Sequence, residues 1–262
     1  MKRGKVELYI HETLETKGAM LFGLIDPLDY KSEDHVIKTA KAVAEGGMDI
    51  IMLGGSTGVQ GELLDVTAKR VKEEIDVPLV LFPGNVATIT KHADAIYFMS
   101  VLNARSSYWI TQAQMLGAPV VKAAHIEPLP VGYIVVHPGG TVGWVSDANF
   151  VPREKPNIAA ALALAGEYMG NRFIITDTGS NPGAFGNGPI PNEMIRAVKS
   201  VISVPYIVSG GIRTSAQLKE VLQNGADCVH IGSALEESPE KALKTAKAFA
   251  EIAREEGKKK IK

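Results

Sequence analysis

Asp177 follows an apolar run, residues 173–176, and is itself followed by Thr178-Gly179-Ser180-Asn181. A carboxylate in that place can take a proton from a substrate hydroxyl if the fold brings the two within hydrogen-bonding distance. Two glycine sites come later, Gly210-Gly211 and Gly232-Ser233, each directly after an apolar run. A phosphate needs several backbone N–H groups aimed at one point, and glycine lets the backbone approach without a Cβ in the way. Asp26, directly after residues 20–25, and Ser56 or Thr57, after residues 50–53, offer hard oxygens. Mg²⁺ commonly takes one or two such protein oxygens and keeps water and substrate phosphates as its other ligands. Each feature also has a plainer reading. Glycines close tight turns, Asp26 with Pro27 can cap a turn, and Asp177-Thr178 can cap its own loop. His137 beside Pro-Gly-Gly reads as a loop hydrogen-bonding residue. His92, His125 and His230 show no ligand spacing, so no zinc site is expected.

These residues need a scaffold that brings them to one place. Short, nearly continuous apolar runs recur at residues 20–25, 50–53, 79–82, 95–99, 132–136, 173–176, 206–209 and 227–231. That is the pattern of parallel strands covered on both faces. Helical patterns lie between most of them, at 34–44, 63–74, 108–116, 157–169, 193–201, 216–223 and 239–253. Strands alternating with helices in this number predict a closed (β/α)8 TIM barrel over one domain, residues 1–262, with an open doubly wound sheet as the alternative. In such barrels reactive residues stand at the carboxyl ends of strands, and phosphate commonly binds after the last two. Asp26, Ser56, Asp177, Gly210, Gly211, Gly232 and Ser233 all fall at such ends. Residues 233–236 are expected to form a short helix there, capped by Ser233. Residues 83–88 have poor helix-forming character, so a loop should replace the third helix. The stretch 119–130 carries extra apolar residues and reads as a short outer strand.

Composition narrows the partners. The 28 basic side chains nearly cancel the 29 acidic ones, which argues against a nucleic-acid binder. The single cysteine, Cys228, sits in an apolar run and excludes an intrachain disulfide. The charged N-terminal segment lacks the features of a signal peptide, and no run approaches the length of a membrane span. A cytoplasmic protein with at most peripheral membrane contact is expected. The basic tail, about 256–262, reads as a solvated, frayed end, and an apolar outer helix would support a homo-oligomer.

Taken together the motifs resemble the geranylgeranylglyceryl phosphate synthase family, including its bacterial heptaprenylglyceryl relatives. The resemblance runs through nearly the whole chain. It is carried by Leu24-Ile25-Asp26-Pro27, Ile51-Met52-Leu53-Gly54-Gly55-Ser56, Leu81-Phe82-Pro83-Gly84-Asn85, Ala95-Ile96-Tyr97-Phe98-Met99-Ser100 and Ser209-Gly210-Gly211-Ile212-Arg213-Thr214. It implies a prenyltransferase that joins sn-glycerol 1-phosphate to a prenyl diphosphate through an ether bond, with Mg²⁺ and release of diphosphate. Asp26 and Ser56 match the metal positions. Ile175, Thr176, Asp177, Thr178, Gly179, Ser180 and Asn181, with Gly210, Gly211, Gly232 and Ser233, match the glycerol-phosphate site. Asp177 would be the base, and Tyr97 and Trp109 would line the isoprenoid wall. One segment departs. The family usually shows Tyr-x-Glu-Ala-Gly-Ser-Gly where this chain has Ile175-Thr176-Asp177-Thr178-Gly179-Ser180-Asn181. The carboxylate is one methylene shorter and the tyrosine hydroxyl is gone. Two alternatives follow: another phosphate-binding barrel acting on a sugar phosphate, or a diverged homologue that binds without turnover.

Overall fold

The computed structural model describes residues 2–261. Eight parallel strands close into a barrel in chain order: β1 Met20–Ile25, β2 Ile50–Leu53, β3 Leu79–Leu81, β4 Ala95–Val101, β5 Glu127–Val135, β6 Phe173–Asp177, β7 Tyr206–Ser209 and β8 Cys228–Ile231. Closure runs through β1 and β8, where Met20 aligns with Cys228 and Gly23 with Ile231. The period-two alternation of side chains divides the core. One set, including Phe22, Met52, Tyr97, Tyr133, Ile175 and Cys228, fills the barrel. The other, including Leu21, Ile51, Ile134, Ile174 and Val229, faces the helices outside. Cys228 is buried as expected.

The helices are α1 Lys5–Lys17, α2 Glu33–Glu45, α3 Gly61–Glu74, α4 Ala113–Ala124, α5 Gly140–Val145, α6 Pro156–Tyr168, α7 Asn192–Lys199, α8 Ser215–Gln223 and α9 Pro239–Lys258. Their starts carry ordinary signals. Ser32 caps α2, Ser238 with Pro239 starts α9, and Thr214 with Gln217 forms a reciprocal capping box on α8. As the sequence predicts, a loop joins β3 to β4. It is pinned where Asn85 Oδ1 accepts from Ala87 N–H (2.7 Å) and Thr88 Oγ1 donates to the Val59 carbonyl (3.0 Å).

A repeated device fastens the lower end. Asp49, Asp94 and Asp227 each sit one residue before an even-numbered strand. Each carboxylate accepts an N–H at the start of the preceding strand: Leu21, the second residue of β1 (2.9 Å), and Leu79 and Tyr206, the first of β3 and β7 (2.8 and 2.9 Å). Each also pairs with a lysine, Lys17, Lys72 or Lys199. Two of these clamps share a Gly-x-Asp sequence, Gly47-Met48-Asp49 and Gly225-Ala226-Asp227. Before β6 the same position holds Arg172, whose guanidinium reaches Glu7 Oε2 of α1 at 2.7 Å. Helix α1 covers this end and sinks Val6 and Ile10 into the barrel cluster.

The structure corrects several expectations. No outer strand occupies 119–130. A π-helical turn, Tyr108–Gln112, leads into α4, which passes through Pro119 on its exposed side and ends at left-handed His125. Residues 127–130 are the start of β5 itself. Even-numbered residues of β5 send their N–H toward β6, as Val136 does to the Asp177 carbonyl. Pairing with β6 begins only at Val131, so Pro128 and Pro130 fall where no donor is required. Residues 233–236 form a turn closed by Leu235 N–H to the Gly232 carbonyl, not a helix. Of the expected frayed tail, residues 256–258 form the end of α9 and 259–260 a turn beyond it, while Lys262 lies outside the described residues. Glu256 is buried against Lys259 and Gln223, and Lys260 donates to the Ala226 carbonyl.

A buried pair crosses the barrel interior: Tyr97 Oη lies 2.9 Å from His230 Nε2. Burial pushes the His230 imidazolium down from its ordinary 6.5 to about 3. Between those values the unfolded chain binds the extra proton and the folded chain does not, so stability rises with pH across that window. This group should make the protein about 2 kcal/mol less stable at pH 5 than at pH 7. Asp26, pushed up to about 6 by burial, acts with the opposite sign. The measurement is therefore the difference in denaturant midpoints between wild type and His230→Gln at both pH values. An equal pH response in the two proteins would refute the assignment.

Candidate active site

The carboxyl ends of the strands surround a cavity of about 840 Å³, open to solvent. Asp26, Ser56, Asp177, Gly179, Ser180, Gly232 and Ser233 all line it. Residues from β1, β2, β6 and β8, far apart in sequence, thus face one space. Thr57, the alternative to Ser56, is exposed outside this lining.

Asp177 is 6% exposed, with both carboxylate oxygens engaged. Oδ1 accepts from Gly179 N–H at 2.5 Å and Oδ2 from Tyr133 Oη–H at 2.7 Å. Gly210 stands directly beside it. A Cβ there would lie 2.4 Å from Thr178 Oγ1 and 3.0 Å from Asp177 Oδ1, and its φ of +89° is one that side chains disfavour. Only glycine lets the β7 loop close against the carboxylate. Gly211 packs behind it on Pro182 and the loop up to Pro189, which Arg153 ties down by donating to the Pro189 carbonyl at 2.5 Å. Thr178 Oγ1 is buried without a hydrogen-bond partner among the described residues.

Thr178, Asn181, Gly210 and Gly211 of the expected glycerol-phosphate set flank the cavity without lining it, and Ile175 and Thr176 lie farther away. Ile175 is buried inside the barrel, below the mouth, and Thr176 faces outward, sharing a 2.7 Å hydrogen bond with Tyr206 Oη. Alternation along β6 explains both: a strand that points Asp177 inward must point Thr176 outward, and Ile175 lies one layer deeper. Asn181 is exposed in a left-handed conformation at the start of the following turn. His137 is also exposed, with its carbonyl accepting from Arg153.

Across the mouth, Asp26 is half-buried, and its Oδ1 accepts from Leu28 N–H at 3.0 Å. Burial pushes its carboxyl up to about 6. Glu236, also lining the mouth, is raised by burial and then by the neighbouring Asp29. Partly desolvated carboxylates gathered on one side call for a cation. The space beside Asp26 Oδ2 is kept open by Gly55, where a Cβ would lie 2.2 Å from that oxygen. Among the described residues no three His, Cys, Asp or Glu side chains converge as ligands. Asp26 and Ser56 would offer a cation here two protein oxygens and leave its other positions to water and substrate, the habit of Mg²⁺. The donor set fits it.

From the mouth an apolar groove of about 480 Å³ runs outward over β4, in the gap left by the absent third helix. Val86, Ile89, Phe98, Gly117 and Val121 line it, and Pro83, Met99, Val101 and Trp109 belong to both spaces. Tyr97 borders the groove but turns its ring into the barrel, toward His230.

Tyr133, Asp29 and Glu236 were missed from the sequence. Asp29 and Glu236 read as ordinary surface acids. Tyr133 belongs to a run that reads as plain core; period two shows that it shares a face with Val135, whereas its alignment with Ile175 is set by the register between two strands.

Residues 12–250 match the PcrB family. Geranylgeranylglyceryl phosphate synthase of Thermococcus sibiricus is 52% identical over 238 residues, 91% of each chain. Its counterpart in Pyrococcus horikoshii is 48% identical over 254 residues, 97% of each chain. The crystal structure of (S)-3-O-geranylgeranylglyceryl phosphate synthase from Thermoplasma acidophilum, in complex with sn-glycerol-1-phosphate, superposes with a TM-score of 0.89 at 32% identity, covering 97% of this chain and 100% of that one. Tryptophan synthase of Mycobacterium tuberculosis, at 14% identity and a TM-score of 0.63, shares the fold alone.

Proposed function

This chain belongs to the PcrB family, and from that premise we infer that it is a prenyltransferase, joining sn-glycerol 1-phosphate to geranylgeranyl diphosphate through an ether bond. The observation that carries this reading is the union of a polar, glycine-edged mouth with an apolar groove through Met99, Val101 and Trp109. A phosphate with a hydroxyl suits the first space and an isoprenoid suits the second.

In the proposed reaction Asp177 accepts the proton of the glycerol hydroxyl. That oxygen bonds to the first carbon of the prenyl chain, and the bond from this carbon to diphosphate breaks, its electron pair leaving with the diphosphate. Backbone N–H groups at Gly210, Gly211 and Gly232, with Ser233, would hold the glycerol phosphate within reach of Asp177. Asp26 and Ser56 would hold Mg²⁺, which when bound neutralises charge on the leaving diphosphate. The groove wall excludes water from the allylic carbon while the hydroxyl is delivered.

No described helix is long and apolar enough to cross a membrane. We place the reaction in the cytoplasm, with at most peripheral membrane contact. The expected homo-oligomer would bury Met115, Leu116 and Val120, exposed on α4.

The test is an assay with geranylgeranyl diphosphate and each enantiomer of glycerol phosphate, with chelator and after Mg²⁺ is restored. Ether product from the sn-1 form alone, lost with chelator and regained with Mg²⁺, is expected. Undiminished product in chelator would remove the metal assignment. Binding of glycerol phosphate without product from either enantiomer would mark a homologue that binds without turnover.

A further inference from the structure

Asp177 has a role in the proposed reaction, and Tyr133, which touches it, has none. Tyr133 is 1% exposed, and its ring packs edge-on against Phe82, with centroids 5.9 Å apart. Phenylalanine would fill that space equally well. A buried hydroxyl is costly unless it is hydrogen-bonded, so its presence calls for a partner. The partner is Asp177 Oδ2, at 2.7 Å.

Position along the barrel separates this tyrosine from the other one of its kind. Tyr97, whose hydroxyl pairs with His230, aligns across β4 and β5 with Leu129, well below the mouth. Tyr133 aligns with Val101 at the upper end and lines the mouth itself. Its hydroxyl therefore meets the carboxylate at the level where substrate would enter. Burial, and next the negative charge of Asp177, hold the phenol well above its ordinary range, so it remains a donor at any working pH.

We propose that Tyr133 is a positioning residue for the reaction: its O–H, donating to Asp177 Oδ2 while Gly179 N–H holds Oδ1, fixes the carboxylate plane for proton acceptance from the glycerol hydroxyl. This rests on the reading of Asp177 as the base. An ionised carboxylate has about four acceptor sites, so the two protein donors leave capacity for the substrate proton. Tyr133 keeps its own proton throughout. The need for such a clamp follows from the short side chain. An aspartate that rotates about χ2 moves its oxygens off line, and a misplacement near 1 Å can cost about a hundredfold in rate.

The experiment is a double-mutant cycle on kcat with Tyr133→Phe and Asp177→Asn, each variant checked for folding by thermal melting. Tyr133→Phe removes one oxygen and keeps the ring against Phe82, so the barrel should melt as wild type does. In the wild-type background it should lower kcat by about ten- to a hundredfold, with KM for sn-glycerol 1-phosphate within about threefold. In the Asp177→Asn background the same change should alter the residual rate by less than about twofold, because a residue acting through Asp177 has nothing left to position. Equal fold-losses in both backgrounds, or a wild-type kcat in Tyr133→Phe, would overturn the inference and leave the base assignment standing. Full activity in Asp177→Asn would overturn both.

Discussion

Replacing Asp177 by asparagine should lower kcat by about 10²- to 10⁴-fold, the usual contribution of a general base. KM for sn-glycerol 1-phosphate should stay within about threefold, since in the proposed site the glycine loops, rather than this carboxylate, would hold the phosphate. The substitution is nearly isosteric. The amide oxygen still accepts from Gly179 N–H, and the Tyr133 hydroxyl can turn to accept from the amide nitrogen. What is lost is the capacity to take a proton. A fall in kcat and kcat/KM together would locate the loss in the transition state. Steady-state rates with geranylgeranyl diphosphate measure it. A kcat within about threefold of wild type would remove Asp177 from the base role and leave it as the anchor of its loop.

The strands were legible because parallel strands buried on both faces are apolar throughout, and β1, β2 and β7 begin and end where the sequence places them. Which residues line the mouth was legible where a polar side chain coincides with a strand end, as at Asp26, Ser56 and Asp177. It was illegible where two distant segments decide the outcome. Tyr133 acquires its role only when β5 lies beside β6, a register that no local pattern contains. The sequence reading starts the fifth strand at residue 132 rather than 127, because the tolerance of Pro128 and Pro130 depends on where the neighbouring strand begins. Ile175 and Thr176 were assigned to the site as a contiguous motif, whereas a strand alternates its faces and delivers only every second residue to the mouth.

Removing Arg172 as methionine should cost about 3–5 kcal/mol of stability, the range found when one partner of a buried ion pair is deleted. Glu7, on the inner face of α1, is fully buried, and burial drives its carboxyl above the ordinary range while Arg172 is the foremost group opposing that shift. Arg3 lies 3.5 Å from the same carboxylate but is half-exposed, so it is a weaker substitute. Thermal melting should fall by on the order of 10 °C. The double replacement Glu7→Gln with Arg172→Met should recover part of the loss, because no buried charge is then left alone. Turnover at 25 °C should be little changed, since α1 closes the end opposite the mouth. A loss below about 1 kcal/mol would show that Arg3, with His11 at 3.9 Å, can satisfy Glu7 without Arg172.

The way α1 and β1 are held has a consequence for how the chain is made. The first N–H groups of α1, at Val6 and Glu7, are capped by the carboxylate of Glu127, more than a hundred residues later. One edge of β1 pairs with β8, so Met20 waits for Cys228. On a ribosome adding about 5–20 residues per second, that wait is roughly 10–40 s. Throughout it the nascent chain carries an apolar strand with an unpaired edge, the feature that invites pairing with other chains. The finished barrel has no such edge. The demand for chaperone protection therefore falls on synthesis, and it ends when the eighth strand clears the exit tunnel.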